Sequence, residues 1–181
     1  ISGVRPWRAG DARRDAHWRA TARCGELMAK VRDFTADPRL LVALNVAKSE
    51  AQWADLADYE RDGIEYGVSL AATLCLRALN AGAEAGFCAN TDLETTHEAA
   101  LLLPARASGQ ADALLTLLSR LTLRRAAAFH DCLAAIPVRA GMDVLVLSYY
   151  LDEKTLRQTT LWREAGVNVT VWHLSDAGVA A

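Results

Sequence analysis

The chain has 181 residues, of which 52% are hydrophobic and 23% are charged, and its formal net charge is −2. This length and composition allow one buried core and exclude a disordered chain. The slightly acidic balance argues against a nucleic-acid-binding protein, because contacts with phosphate need a basic excess. We therefore expect one globular domain with an appended segment and no nucleic-acid partner.

Cysteine usage and hydropathy predict a soluble, cytoplasmic domain. No apolar run is long enough to cross a membrane, since Arg77 interrupts the longest one, and no signal-peptide pattern opens the chain. The first residue is Ile1 rather than methionine, so we interpret the chain as part of a longer protein. Four widely spaced cysteines form no Cys-x-x-Cys pair and are expected to be reduced: Cys24, Cys75, Cys88 and Cys132.

The opening of the chain is rich in arginine and predicts a short helix followed by a strand. Asp11 is placed to cap a helix over residues 12–23, and Gly25 can end it. Arg14 and Trp18 then share one helix face. Residues 27–31 alternate in hydrophobicity as a strand does.

Two interpretations of this opening segment remain open. In the first, Arg13, Arg14 and His17 form a cationic surface for a phosphate or an acidic partner, because the planar guanidinium group suits such anions. In the second, the segment is a structural clasp, in which Trp18 is buried and the arginines pair with nearby aspartates.

From residue 39 onward, short apolar strands alternate with longer helical patterns. Strands are predicted at residues 39–46, 83–90, 99–104, 143–150 and 168–174. Helices are predicted at residues 64–80, 110–121, 125–136 and 153–165. Pro104 places the third of these strands at an edge of the sheet, and Asp152 is placed to cap the last helix.

This alternation predicts an α/β fold: a mainly parallel, doubly wound sheet with helices on both faces, preceded by an extended and helical N-terminal segment. Ligands of such sheets bind beyond the carboxyl ends of the strands. The loops at that edge are residues 45–49, 90–92, 148–150 and 175–176.

The opening residues resemble the bacterial family called domain of unknown function 58 (DUF58). Eleven residues match its signature in order and spacing: Arg5, Gly10, Asp11, Arg14, His17, Trp18, Ala20, Ala22, Arg23, Gly25 and Leu27. The resemblance implies a signature segment at residues 1–38, in which Asp11, Trp18, Arg23 and Gly25 are structural. It also implies a von Willebrand factor A-like domain at residues 39–181, frequently tethered to the inner membrane by helices upstream and encoded beside a MoxR-type AAA+ ATPase.

Domains of the von Willebrand type can hold magnesium in an Asp-x-Ser-x-Ser turn after the first strand. The corresponding residues here are 45–49, in which Asn45 replaces the carboxylate and Ala47 removes one hydroxyl. Lys48 adds a positive charge, and only Ser49 fits the pattern. Because these changes oppose a divalent ion, we expect a degenerate site, no magnesium and no other cofactor.

Catalytic motifs are missing from the sequence. It has no Gly-x-Ser-x-Gly elbow, no phosphate-binding loop and no paired zinc-ligand motif. His130 and Cys132 are predicted to be a surface histidine and a core thiol. A small-molecule hydrolase that uses Ser148, His173 and Asp176 is the alternative that stays open.

The main hypothesis is a non-catalytic protein-interaction domain, an adaptor or partner of an AAA+ ATPase. Its contact surface would combine the carboxyl ends of the strands with the arginine-rich helix. The residues assigned to that surface are Arg13, Arg14, His17, Asn45, Ser49, Ser148 and Tyr149.

Overall fold

The computed structural model describes residues 3–8, 16–31, 38–49, 58–94 and 96–174. The chain divides into two compact units, Ile1–Asp37 and Pro38–Ala181. Several residues singled out in the sequence lie outside the described ranges: Gly10, Asp11, Arg13, Arg14 and Asp176. Within the described ranges, no helix is both long and apolar enough to span a membrane.

The first unit contains a two-stranded antiparallel sheet and one short helix. Strand β1 (Gly3–Pro6) pairs with β2 (Met28–Val31), and α1 (Trp18–Cys24) lies between them in sequence. The helix predicted over residues 12–23 is wrong at its start, because Ala16 forms a strand-like bridge with Ala29 instead.

His17 provides the cap at the start of α1. Its Nδ1 accepts a hydrogen bond from the backbone N–H of Ala20 at 3.1 Å. Gly25 closes the helix with a φ of 72°, a conformation that glycine adopts without strain. No side chain of α1 is buried, and Trp18 is 69% exposed. The interpretation in which Trp18 is buried is therefore wrong.

The second unit is an α/β domain whose sheet is mostly parallel. Its strands are β3 (Arg39–Leu44), β4 (Glu84–Asp92), β5 (Ala99–Ala105), β6 (Asp143–Ser148) and β7 (Asn168–His173). Their order in the sheet is β5-β4-β3-β6-β7, and only β5 runs antiparallel to its neighbour. The five predicted strands are thus confirmed, with β5 at an edge as Pro104 indicates.

Helices cover both faces of this sheet. They are α2 (Asp58–Asn80), α3 (Gln110–Leu118), α4 (Phe129–Ala134) and α5 (Glu153–Glu164). Side chains alternate along each strand, so Val42 and Leu44 pack with α2 and α3, whereas Leu41 and Ala43 pack with α4 and α5. The result is two buried clusters, one on each side of the central strands.

Helices α3 and α4 are shorter than predicted because the segment between them forms hydrogen bonds with the end of β4 and the residues just after it. Glu94 N donates to the carbonyl of Arg120 at 2.8 Å, and Thr122 N donates to the carbonyl of Asp92 at 3.1 Å. Asp92 also accepts hydrogen bonds from the Thr122 hydroxyl and from His97, and these bonds, the first above all, lower the pKa of Asp92. Backbone groups that a helix would have used internally are thus bound to the sheet.

Candidate functional site

Three polar side chains lie at the carboxyl ends of the three central strands. Asn45 follows β3, Asn90 lies in the last part of β4 and Ser148 ends β6. All three are buried, at 3%, 1% and 0% exposed respectively. Because side chains alternate along a strand, they share the sheet face covered by α4 and α5. The topology therefore gathers them beneath one end of the sheet.

The Asn45 side chain donates hydrogen bonds to the end of β6. Its Nδ2 lies 3.1 Å from the Ser148 hydroxyl and 2.7 Å from the Tyr150 carbonyl oxygen. The Ser148 hydroxyl also donates to that carbonyl and accepts from the Tyr150 N–H at 3.0 Å. Both amide hydrogens of Asn45 and the Ser148 hydroxyl are consequently engaged within the protein.

The Asn45 carbonyl oxygen connects β3 to β4. Its Oδ1 accepts from Asn90 Nδ2 at 2.9 Å and from the Ala47 N–H at 3.0 Å. Asn90 Oδ1 in turn accepts from the Val46 N–H at 2.8 Å. We call Asn45, Asn90, Ser148 and the backbone groups they bind the asparagine network. Among the described residues, every buried side-chain nitrogen and oxygen has a hydrogen-bond partner.

The asparagine network does not suit a divalent cation. A cation needs oxygen ligands with free lone pairs, but Asn45 directs its N–H groups at Ser148 and Tyr150 and uses its oxygen twice. The ammonium of Lys48 lies 4.8 Å from the centre of the Tyr149 ring. In the described part of the chain, no three metal-ligating side chains of the His, Cys, Asp and Glu types come together.

The space above the asparagine network is small. A cavity of about 10 Å³ remains there, roughly the volume of a single water position. Its walls are Asn45, Ala47, Ser49, Asn90, Arg125, Phe129, Tyr150, Asp152 and Thr155. A substrate or cofactor therefore has no room at this point.

Next to this cavity is an open groove of about 860 Å³, which we call the carboxyl-edge groove. It runs between the start of α4 and the start of α5, and its walls carry charges of both signs. Its polar residues are Arg125, His130, Asp131, Tyr150, Asp152, Glu153 and Lys154. Such a surface offers both hydrogen-bond donors and acceptors to a partner.

His130 and Asp152 form the most buried polar pair of the groove. His130 Nδ1 lies 3.1 Å from Asp152 Oδ2, and each side chain is 20% exposed. Asp152 Oδ1 accepts from the Thr155 N–H at 2.7 Å, which caps α5 as predicted. Burial acts to raise the pKa of Asp152, but the hydrogen bonds from Thr155 and His130 outweigh it and lower that pKa below its usual value.

Replacing Asp152 by alanine should lower the free energy of unfolding by about 1 to 2 kcal/mol at pH 7, because α5 loses its cap. A lowered pKa in the folded protein means that the ionised carboxylate stabilises the fold above its ordinary pKa of 3.8. The difference between wild type and Asp152→Ala should therefore shrink as the pH falls below that value. Urea unfolding across this pH range measures it.

Asp152→Asn is the matched control, since asparagine also caps helices well but carries no charge. We expect it to retain most of the stability at pH 7 and to lose the pH dependence. Equal losses for the alanine and asparagine variants at every pH would contradict the assigned role of the cap.

Some of the residues assigned to a site from the sequence come together, and others do not. Asn45 and Ser148 are hydrogen-bonded, and Ser49 lies on the wall of the same small cavity. Tyr149 faces the opposite side of the sheet, where it packs against α2 at Gly63. His17 belongs to the other unit and caps α1 there.

His130 is not the surface histidine that the sequence predicts. Helical spacing predicts the helix face on which a residue lies. It cannot predict that His130 lies within hydrogen-bonding distance of Asp152, the cap of α5, which is 22 residues further along the chain. Arg125 is a further groove residue that the sequence did not single out. The capping aspartate Asp152 was the available signal for this pair, since a partly buried carboxylate needs hydrogen-bond donors around it.

The fold and this edge define the chain as an α/β protein with a mostly parallel sheet and a polar carboxyl edge. The family model described as "Protein of unknown function DUF58" matches residues 3–177. The chain therefore belongs to the DUF58 family, as its opening signature predicts. Comparison with curated proteins found no match.

Proposed function

We propose that the chain is a non-catalytic protein-interaction domain with a von Willebrand factor A-like sheet, acting as an adaptor for a MoxR-type AAA+ ATPase. The asparagine network is the observation that carries this proposal. It lies at the carboxyl ends of the strands, where open α/β sheets bind ligands, and it uses the polar groups there for internal hydrogen bonds. The exposed polar groups of this edge then lie in the carboxyl-edge groove.

The charges of the groove favour a protein as the partner. Arg125 and Lys154 are cationic, whereas Asp131, Asp152 and Glu153 are anionic. A surface that mixes both signs matches the polar rim of a protein interface. Phosphate and nucleic acid would instead favour a purely basic groove. The same proposal puts the domain in the cytoplasm, tethered to the inner membrane through helices outside this sequence.

Geometry argues against the hydrolase alternative. A nucleophilic serine must reach its substrate, but Ser148 is fully buried and its hydroxyl makes three hydrogen bonds. His173 is the register partner of Ser148 on β7 and is exposed. The third proposed member, Asp176, lies outside the described residues.

Reversing one charge in the groove tests the proposal. Lys154 lies in the groove at the start of α5, and Lys154→Glu should weaken binding to the purified ATPase by about tenfold or more. Arg157→Glu is the matched control, because Arg157 is also a cation on α5 but does not line the groove. Biolayer interferometry on the immobilised chain measures both affinities.

Two results would overturn the proposal. One is the absence of any saturable binding between the wild-type chain and the ATPase. The other is an equal loss of affinity for Lys154→Glu and Arg157→Glu, since that result would reflect total charge rather than the groove.

A further inference from the structure

A second cavity lies at the opposite edge of the sheet, where β3, β4 and β6 begin. Its volume is about 310 Å³. Three arginines from separate segments line it: Arg39 at the start of β3, Arg106 just after β5 and Arg139 in the loop before β6. Glu84, at the start of β4, is the one acidic residue in its lining.

We propose that this arginine cavity binds the phosphate group of a phosphomonoester. The proposal is independent of the carboxyl-edge groove, which lies at the other end of the strands. Three guanidinium charges against one carboxylate leave an excess of two positive charges in the lining. A phosphomonoester carries a charge of about −1.5 to −2 near pH 7, which matches that excess better than the single charge of a carboxylate.

Two of the three guanidinium groups are held in place before any ligand arrives. Arg39 Nε is paired with Glu84 Oε2. Arg106 Nη1 donates to the Gly82 carbonyl at 2.8 Å, and Gly82 adopts a φ of 83°. Each arginine retains further N–H groups beyond these contacts, because a guanidinium has five. Fixed donors lose less conformational entropy when an anion binds.

Arg139 supplies the third guanidinium. It is exposed, and its side chain has no hydrogen-bond or ion-pair partner among the described residues. It is therefore available to close on an anion that Arg39 and Arg106 already hold. Paired N–H donors on a planar group suit phosphate oxygens, which is why arginine serves this purpose better than lysine.

The remaining wall of the cavity is apolar. Its residues are Leu103, Pro104, Ala105, Pro137 and Met142. Met142 is only 4% exposed and forms a fixed part of the wall. An ester group attached to the phosphate can lie against this surface, so an organic phosphomonoester should bind more tightly than inorganic phosphate.

Phenyl phosphate, inorganic phosphate and benzoate are the soluble probes, and isothermal titration calorimetry on the full chain is the measurement. We expect phenyl phosphate to bind most tightly and benzoate at least tenfold more weakly. The double variant Arg106→Ala/Arg139→Ala should lose about tenfold or more of the affinity for phenyl phosphate. It leaves the Arg39–Glu84 pair intact, and circular dichroism checks that it folds.

Controls separate this site from general charge and from a lipid source. Arg157→Ala removes an exposed arginine outside the cavity and should leave binding unchanged. Arg139→Lys keeps the positive charge but loses the planar guanidinium group with its paired N–H donors, so this variant should bind phenyl phosphate more weakly than wild type does. Phosphatidylcholine vesicles with and without phosphatidate test whether the phosphate belongs to a lipid headgroup. Binding of neither phenyl phosphate nor phosphatidate vesicles, or equal binding by the double variant, would overturn the proposal.

Discussion

Asn45→Asp is expected to lower the free energy of unfolding by about 3 kcal/mol, although the two side chains have nearly the same shape. A carboxylate has no N–H group, so the hydrogen bonds to Ser148 and Tyr150 would lose their donor. A negative charge would also lie beside the Tyr150 carbonyl oxygen, which is 2.7 Å from Asn45 Nδ2. An acceptor that faces another acceptor lowers the stability of the fold far more when it is buried than when it is exposed to water. Urea unfolding at pH 7, followed by circular dichroism, measures the loss.

Asn168→Asp is the matched control for this substitution. Asn168 also donates through Nδ2, to Asp143 Oδ1 at 2.9 Å, but it is exposed. Water can replace its lost hydrogen bond and screens the new carboxylate from that of Asp143, which is also exposed, so we expect a cost below about 1 kcal/mol. Similar losses for both variants, or an Asn45→Asp variant as stable as wild type, would refute the donor role of Asn45.

Gly86→Ala should also cost about 3 kcal/mol, because the edge strand crosses directly over this glycine. A Cβ at residue 86 would lie 2.5 Å from both the Leu102 carbonyl oxygen and the Pro104 nitrogen, and 2.8 Å from the Leu103 carbonyl carbon. These atoms are backbone and cannot move without shifting β5. Thermal and urea unfolding of the variant give the loss of stability.

Gly141→Ala distinguishes crowding from backbone strain. Gly141 has open space around it but a φ of 82°, so alanine there should cost only about 1 kcal/mol. If Gly86→Ala were no more destabilising than Gly141→Ala, that result would contradict the close approach of the β5 backbone to Gly86 on β4.

The strands of the second unit could be predicted because each is an apolar run between clear boundaries. Leu41–Leu44 and Val144–Leu147 are such runs, and both are central strands. Pro104 correctly indicated an edge strand, since proline cannot donate to a neighbouring strand. The antiparallel direction of β5 had no equally clear signal. It depends on the short connection between residues 92 and 99, which leaves no room for a crossover helix.

The first unit was harder to predict. Strand β1 is only four residues long, and its pairing with β2 joins residues more than 20 positions apart. The pattern of Trp18 and its neighbouring arginines suggested a buried clasp, yet α1 buries no side chain. Local capping by His17 and Gly25 sets the limits of this helix, and hydrophobic periodicity does not report on capping.

The candidate site could be located from the sequence but not described. Asn45 and Ser148 were assigned to the carboxyl edge, and they are hydrogen-bonded across 103 residues of sequence. Asn45 was interpreted as a defective metal ligand. In the structure, Asn45 donates from the end of β3 to the end of β6 and accepts a hydrogen bond from Asn90 on β4. This role depends on the order of the strands in the sheet. That order brings together residues whose spacing in the sequence carries no signal.

The side-chain amide of Asn45 offers the most direct test of the closed asparagine network. Nuclear magnetic resonance of ¹⁵N-labelled protein, titrated with magnesium, follows its two N–H groups, and the Asn45→Asp variant identifies them. We expect both N–H groups to exchange slowly with solvent and to keep their chemical shifts as magnesium is added. Fast exchange, or a saturable shift of the Asn45 amide with magnesium, would contradict the account.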